Sequence, residues 1–133
     1  MMKRIWLALA LAIGLAGCTE EPGADVSQNL TGGWAVTALN GAPVAQGVTV
    51  TMGFADGKVS GASGCNRYYT TYTRDDAALV FGPTAMNRMA CPPTEMETEA
   101  AFGAALDAIT RFSIKDGTLM LFAGDQLVMQ AAP

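Results

Sequence analysis

Four dipeptides of one chemistry decide most of what this chain can fold into. Asn40-Gly41, Asp56-Gly57, Asp116-Gly117 and Gly124-Asp125 each separate short stretches in which apolar and polar residues alternate. Such pairs tolerate left-handed backbone and turn a strand directly back on its neighbour. Between them the pattern has period two. Val48, Val50, Met52 and Phe54 share one face while Thr49, Thr51 and Gly53 share the other, which reads as a half-buried strand. Trp34–Leu39, Lys58–Ser60, Tyr68–Thr73, Leu79–Phe81, Phe112–Ile114, Thr118–Phe122 and Leu127–Met129 read as further short strands, giving about 7–8 in all. Short strands joined by Gly-containing turns predict an antiparallel meander, so the fold class is mainly β (α+β).

One segment breaks the pattern. After Pro92-Pro93, the apolar residues Phe102, Ala105, Leu106 and Ile109 recur at three, four and seven, one stripe of a helix over about 95–110. Thr94, with Glu97 three residues on, reads as a capping box, and Glu95, Glu97 and Glu99 suit the positive end of the helix dipole. On that reading Thr94→Ala costs about 1 kcal/mol. The helix is expected to pack over one face or close the open end of a curved sheet.

The start of the chain has a different character. Met1-Met2-Lys3-Arg4 is basic, and Ile5–Leu15 is apolar apart from Gly14, a run too short for a spanning helix of about 20 residues. Leu15-Ala16-Gly17-Cys18 then resembles a bacterial lipobox. The resemblance implies residues 1–17 as a signal peptide, cleavage before Cys18, diacylglycerol on its sulfur and acylation of the new amino terminus. Thr19 after the cysteine resembles the outer-membrane sorting class of enterobacteria, on the periplasmic face. Residues 18–29 then form the lipidated terminus and a polar tether; its eleven residues after Cys18 span roughly 20 Å. Loss of Lys3 and Arg4 leaves 6 basic residues against 12 acidic ones, so attraction to anionic lipid cannot hold the body. The acyl chains must do it, at about 0.8 kcal/mol per buried methylene.

The chemistry open to residues 30–133 is narrow. The sequence has no histidine, which removes Ser-His-Asp and Cys-His nucleophile systems and histidine metal sites. Its net charge of −4 gives no basic footprint for nucleic acid. Asp56, Asp116 and Asp125 fall at turns, Asp75-Asp76 lies in a loop, and no pair of carboxylates is marked out to flank a substrate. With Cys18 assigned to lipid, Cys65 and Cys91 form an even pair in an exported domain, where a disulfide is the default. No metal ligand set and no cofactor are expected.

Several fragments resemble one family. Leu30-Thr31-Gly32-Gly33-Trp34 resembles its L-x-G-x-W opening, and Gly61-Ala62-Ser63-Gly64-Cys65-Asn66-Arg67-Tyr68 its G-x-x-G-C-N-x-[FY] centre. Thr84 to Pro92 resembles its T-x-x-A-C-P region, with Asn87 in place of threonine before Arg88. Glu99 and Phe102 fit the E-x-x-[FL] of its helix. Together these resemble the META domain family of HslJ-like bacterial lipoproteins, over about Leu30 to Met129. The resemblance implies a compact antiparallel, partly barrel-like sheet with one helix, and links to envelope stress and antibiotic tolerance.

The motif residues carry two readings. Gly61, Gly64 and Asn66 suit a bend beside Cys65 or a binding loop, and Arg88 suits a pair with Glu99 or a carbonyl or else with an acidic ligand; on the structural reading, Asn66 and Arg88 should matter first for folding. Trp34 reads as a core anchor, while one of Tyr68, Tyr69 and Tyr72 can face outward. The function expected is that of a non-enzymatic, monomeric envelope lipoprotein working through protein contacts. The alternative is a binding module for a lipid, peptide or small hydrophobic ligand. Cys18→Ser should leave an unprocessed, non-acylated form on metabolic palmitate labelling and fractionation; a variant that still matured and still labelled would overturn the lipobox reading.

Overall fold

The computed structural model describes residues 28–133, together with Gly14; Cys18 and the signal and tether readings before Gln28 lie outside the described residues. Ten strands and one helix follow in chain order. They are β1 (Gly32–Leu39), β2 (Ala42–Pro43), β3 (Thr51–Ala55), β4 (Lys58–Ala62), β5 (Arg67–Asp75), β6 (Ala78–Phe81), β7 (Ala85–Met86), α1 (Pro93–Ala108), β8 (Arg111–Lys115), β9 (Thr118–Ala123) and β10 (Gln126–Ala132). The eight strands read from the alternation are all present. The two added ones, β2 and β7, are two residues long, too short to carry a period-two signal.

The antiparallel sheet returns on itself. Its order is β10-β9-β8-β6-β5-β4-β3-β1, and β1 pairs with β10 to complete a ring. The hairpin dipeptides behave as their chemistry requires. Asp56 and Gly57 both take positive φ, 52° and 76°, which matches the twist of β3 and β4; the Asn40-Gly41 and Asp116-Gly117 turns repeat that geometry. The ring is weakest between β6 and β8, which share only the pair Ala78↔Arg111. At Phe81 the chain leaves β6, and β7 takes its place beside Tyr68 and Tyr69 of β5. Gln28 docks near the weak seam. Its side-chain amide donates to Ile114 O at 2.8 Å while its Oε1 accepts from Ile114 N, and Arg74 Nη1 donates to its carbonyl at 2.6 Å.

Inward-facing side chains fill the ring. Met52, Phe54, Val59, Tyr68, Leu79 and Phe112 are fully buried, as the alternation of their strands dictates. In β1 the phase shifts: Trp34 and Val36 point inward, then a bulge between Val36 and Ala38 brings Leu39 in instead of Ala38. Trp34 is the core anchor expected of it, with its indole N–H on Leu30 O at 2.9 Å. Helix α1 touches β1, β6 and β9, strands from separated parts of the ring. It lays Phe102, Ala105 and Leu106 on the core, and Phe102 meets the Tyr68 ring edge-on at 4.9 Å.

The start of the helix corrects the capping box. The helix begins at Pro93, with Pro92 as its N-cap, and no side chain caps it. Proline at the first position has no N–H to satisfy and its φ is already helical. That places Thr94 one position inside, too late to cap, and its carbonyl instead accepts from the Thr98 hydroxyl at 2.9 Å. The expected loss on Thr94→Ala therefore falls away.

Close approach, not capping, sets the sensitive position. A Cβ at Gly61 would run into the carbonyl and hydroxyl oxygens of Thr51 on β3. Those atoms are committed: Thr51 Oγ1 accepts from Ala62 N at 2.9 Å, and Thr51 O from the Tyr68 hydroxyl at 2.7 Å. Gly61→Ala should destabilise the protein by about 1–3 kcal/mol, read by denaturant melts. Thr94→Ala in the same assay should stay within about 0.5 kcal/mol of the parent.

Candidate functional site

The chemistry-bearing residues converge where the β4–β5 connection meets the start of α1. Gly64 takes φ 109°, so the chain can bend tightly, and its Cα lies against the first turns of the helix. The bend aims three donors at one carboxylate, that of Glu99. Asn66 N donates to Glu99 Oε1 at 2.8 Å, Asn66 Nδ2 to Oε2 at 3.0 Å, and Ser63 Oγ stands 2.5 Å from Oε1. Ser63 Oγ is also 2.8 Å from Asn66 O, but its single proton is better placed on the charged acceptor. Ser63, Asn66 and Glu99 are all buried, Glu99 at 9% exposure.

Burial by itself would push the Glu99 carboxyl upward. The Ser63 and Asn66 hydrogen bonds, with help from the Cys65 backbone, outweigh it and hold the carboxyl below the ordinary glutamate range. Glu99 is thus an ionised, fully engaged structural acceptor and a poor proton donor at neutral pH. It occupies the helix stripe three residues before Phe102. The apolar pattern could not show this, because a glutamate in the first turns of a helix is ordinarily solvated. Tyr68 is also shifted, its phenol raised by burial.

Asn66 has a second task. Its Oδ1 accepts from Met89 N at 2.8 Å and its Nδ2 reaches Met89 O at 3.4 Å, so the side chain pairs with that residue as a strand would. The disulfide Cys65–Cys91 closes beside it. On the chain-entropy view this 26-residue link contributes roughly 3–4 kcal/mol. Clamped at residues 89 and 91, the segment after β7 presents its side chains outward over a groove of about 470 Å³. Asn66 and Glu99 reach the groove from the buried side; Thr84, Met86, Arg88, Met89 and Met96 line the rest.

The sequence-marked residues therefore divide. Asn66, Glu99, Gly64 and the disulfide meet in one cluster. Gly61 belongs to the sheet beside it, and Gly32 and Trp34 lie on β1. Arg88 corrects expectation: it is exposed, and its sought partner Glu99 is already saturated by Ser63 and Asn66. Met86, Met89 and Met96 were missed, since single methionines on a two-residue strand, a loop and the first turn of a helix share no sequence pattern. Of the tyrosines, Tyr68 and Tyr69 alternate as read, Tyr68 buried and Tyr69 65% exposed. Among the described residues no three acidic or thiol side chains converge to hold a metal.

The fold and this cluster define a small mixed sheet-and-helix domain stapled at its central motif. The META domain family matches residues 28–133, and the chain belongs to that family. Two solved structures are similar. An NMR structure of a protein from Burkholderia xenovorans is 27% identical with a TM-score of 0.61, covering 76% of this chain and 80% of its own. A second NMR structure is 22% identical with a TM-score of 0.59, covering 74% and 86%, and shows the fold alone. A search of curated proteins finds no match.

Glu99→Gln places an amide where three donors converge and should cost about 1–3 kcal/mol at neutral pH. Asn66→Ala should cost a similar amount, whereas Arg88→Ala should leave the melting temperature unchanged. Because Glu99 is depressed in the folded state, its contribution is present above the unfolded glutamate pKa of about 4.3 and is lost as pH falls below it. Denaturant melts between pH 7 and pH 3 should show a shallower acid loss in Glu99→Gln than in the parent.

Proposed function

We propose that this is an HslJ-like envelope lipoprotein, a non-enzymatic body tethered at the outer membrane that supports stress or antibiotic tolerance through protein contacts. One observation carries the choice of contacts over ligand storage: the ring is packed with side chains, while large apolar side chains stand outside it. Met89 and Met96 are 58% and 40% exposed, although nearby backbone is clamped by Asn66 and the disulfide. Exposed apolar side chains gathered on the wall of one groove suit an interaction surface. The motif fits this use. A buried carboxylate held by three donors suits fixing the β4–β5 bend and, through Asn66, the segment that bears Arg88 and Met89. The lipobox-like Cys18 supplies the anchor, and the acidic tether keeps the body within roughly 20 Å of the membrane.

The alternative, a pocket for a lipid or small hydrophobic ligand, draws on the groove's volume alone. In-cell photo-crosslinking separates the two. A photoreactive amino acid replacing Met89 should give one discrete protein adduct, and the same group replacing Asp56 at the β3–β4 turn should not. With the photoreactive group moved to Met96, which lines the same groove, Met89→Asp in an otherwise folded and abundant protein should lose both the adduct and survival under novobiocin or heat. No adduct from either position, with survival untouched in Met89→Asp, would overturn the proposal.

A further inference from the structure

The groove beside the clamp has a polarity of its own. Residues 28–133 carry nine acidic residues against six basic ones, so most of the surface repels an anion. Two of the arginines are committed. Arg74 donates to Asp76 O and Gln28 O and lies 4.7 Å from the Phe112 ring, and Arg111 holds Gly124 O, Asp125 and the Phe122 face. Arg88 is exposed and makes no hydrogen bond or ion pair among the described residues. In the same groove the Thr84 hydroxyl is buried without a partner, a second unused donor. The walls around them are the thioethers of Met86, Met89 and Met96, flexible and polarizable enough to mould to varied apolar shapes.

We propose that this groove docks a short apolar segment of a partner protein that carries one carboxylate. The guanidinium donates to the carboxylate through its planar fork, and the methionines take the flanking apolar side chains. One carboxylate is favoured over several, because the ionised Glu99 already borders the groove from its buried side and Glu95 stands in the first turn of the neighbouring helix. An open groove of about 470 Å³ suits a few side chains rather than a whole domain face. This inference deepens the contact reading above and rests on it.

The test uses the full chain in neutral-lipid nanodiscs, with ¹³C-methyl methionine, titrated with acetyl-Leu-Asp-Leu-Phe-amide. The methyl signals of Met86, Met89 and Met96 should shift saturably, while those of buried Met52 and Met129 stay in place. Replacing the peptide's Asp by Asn, or Arg88→Gln in the protein, should weaken binding about tenfold or more, and Arg88→Lys should restore part of it. Unmoved methyls, or an Asn peptide that binds equally, overturns the proposal. So does sodium laurate binding more tightly than the peptide with the same Arg88 dependence, which would make the groove a site for small amphiphiles. If the peptide fails while Met89 still crosslinks to one protein in cells, this inference falls and the contact reading stands; if both fail, both fall.

Discussion

The arrangement depends on one buried carboxylate and the asparagine that meets it. Glu99 belongs to the helix, Asn66 to the β4–β5 connection, and Met89 to the segment between β7 and the helix; Asn66 bonds to both of the others. An ionised group in a poorly hydrated place is costly unless its lone pairs are occupied. Here Ser63 and Asn66 occupy them, and the same bonds pin three separate pieces of chain together. The disulfide at Cys65 and Cys91 then reinforces a geometry that the hydrogen bonds already define.

That clamp complements the weakness of the ring. Antiparallel hairpins form β3–β4–β5 and β8–β9–β10 locally, but β6 and β8 share a single residue pair. The helix bridges the separated strands β1, β6 and β9, so fixing its first turns to the β4–β5 bend helps hold the two hairpin groups in one body. The core then follows from packing: Tyr68 and Phe102 meet edge-on from strand and helix, and Phe54 meets Tyr72 edge-on and Phe81 at a tilt. With the inside filled, the chemistry left to the molecule lies on the surface, where the clamped loop holds Arg88 and Met89 in water.

Most of the fold was legible because its signals are local. The alternation of Val50, Met52 and Phe54, the Asp56-Gly57 turn and the stripe of Phe102, Ala105, Leu106 and Ile109 all state their structure within a few residues. The cap was misread for a local reason too. Thr94 and Glu97 have the right spacing, but Pro93 starts the helix two positions earlier. The site was legible only in part. The Cys65 disulfide and the bend at Gly64 were legible, but the partners of Asn66, Arg88 and Glu99 were not, because a partner dozens of residues away leaves no periodic trace.

The sequence by itself determined eight of the ten strands, their turns, the body of the one helix, the pairing of Cys65 with Cys91 and the family resemblance. These rest on spacing, turn chemistry and cysteine count, which are properties of the chain. Tertiary structure alone decided that the sheet returns to pair β1 with β10, and that Glu99 turns inward to Asn66 while Arg88 turns outward. The reason is competition for partners. A carboxylate can be claimed by a guanidinium or by amide and hydroxyl donors, and only the folded geometry, which brings Ser63 and Asn66 to 2.5–3.0 Å of Glu99, settles which of them reach it.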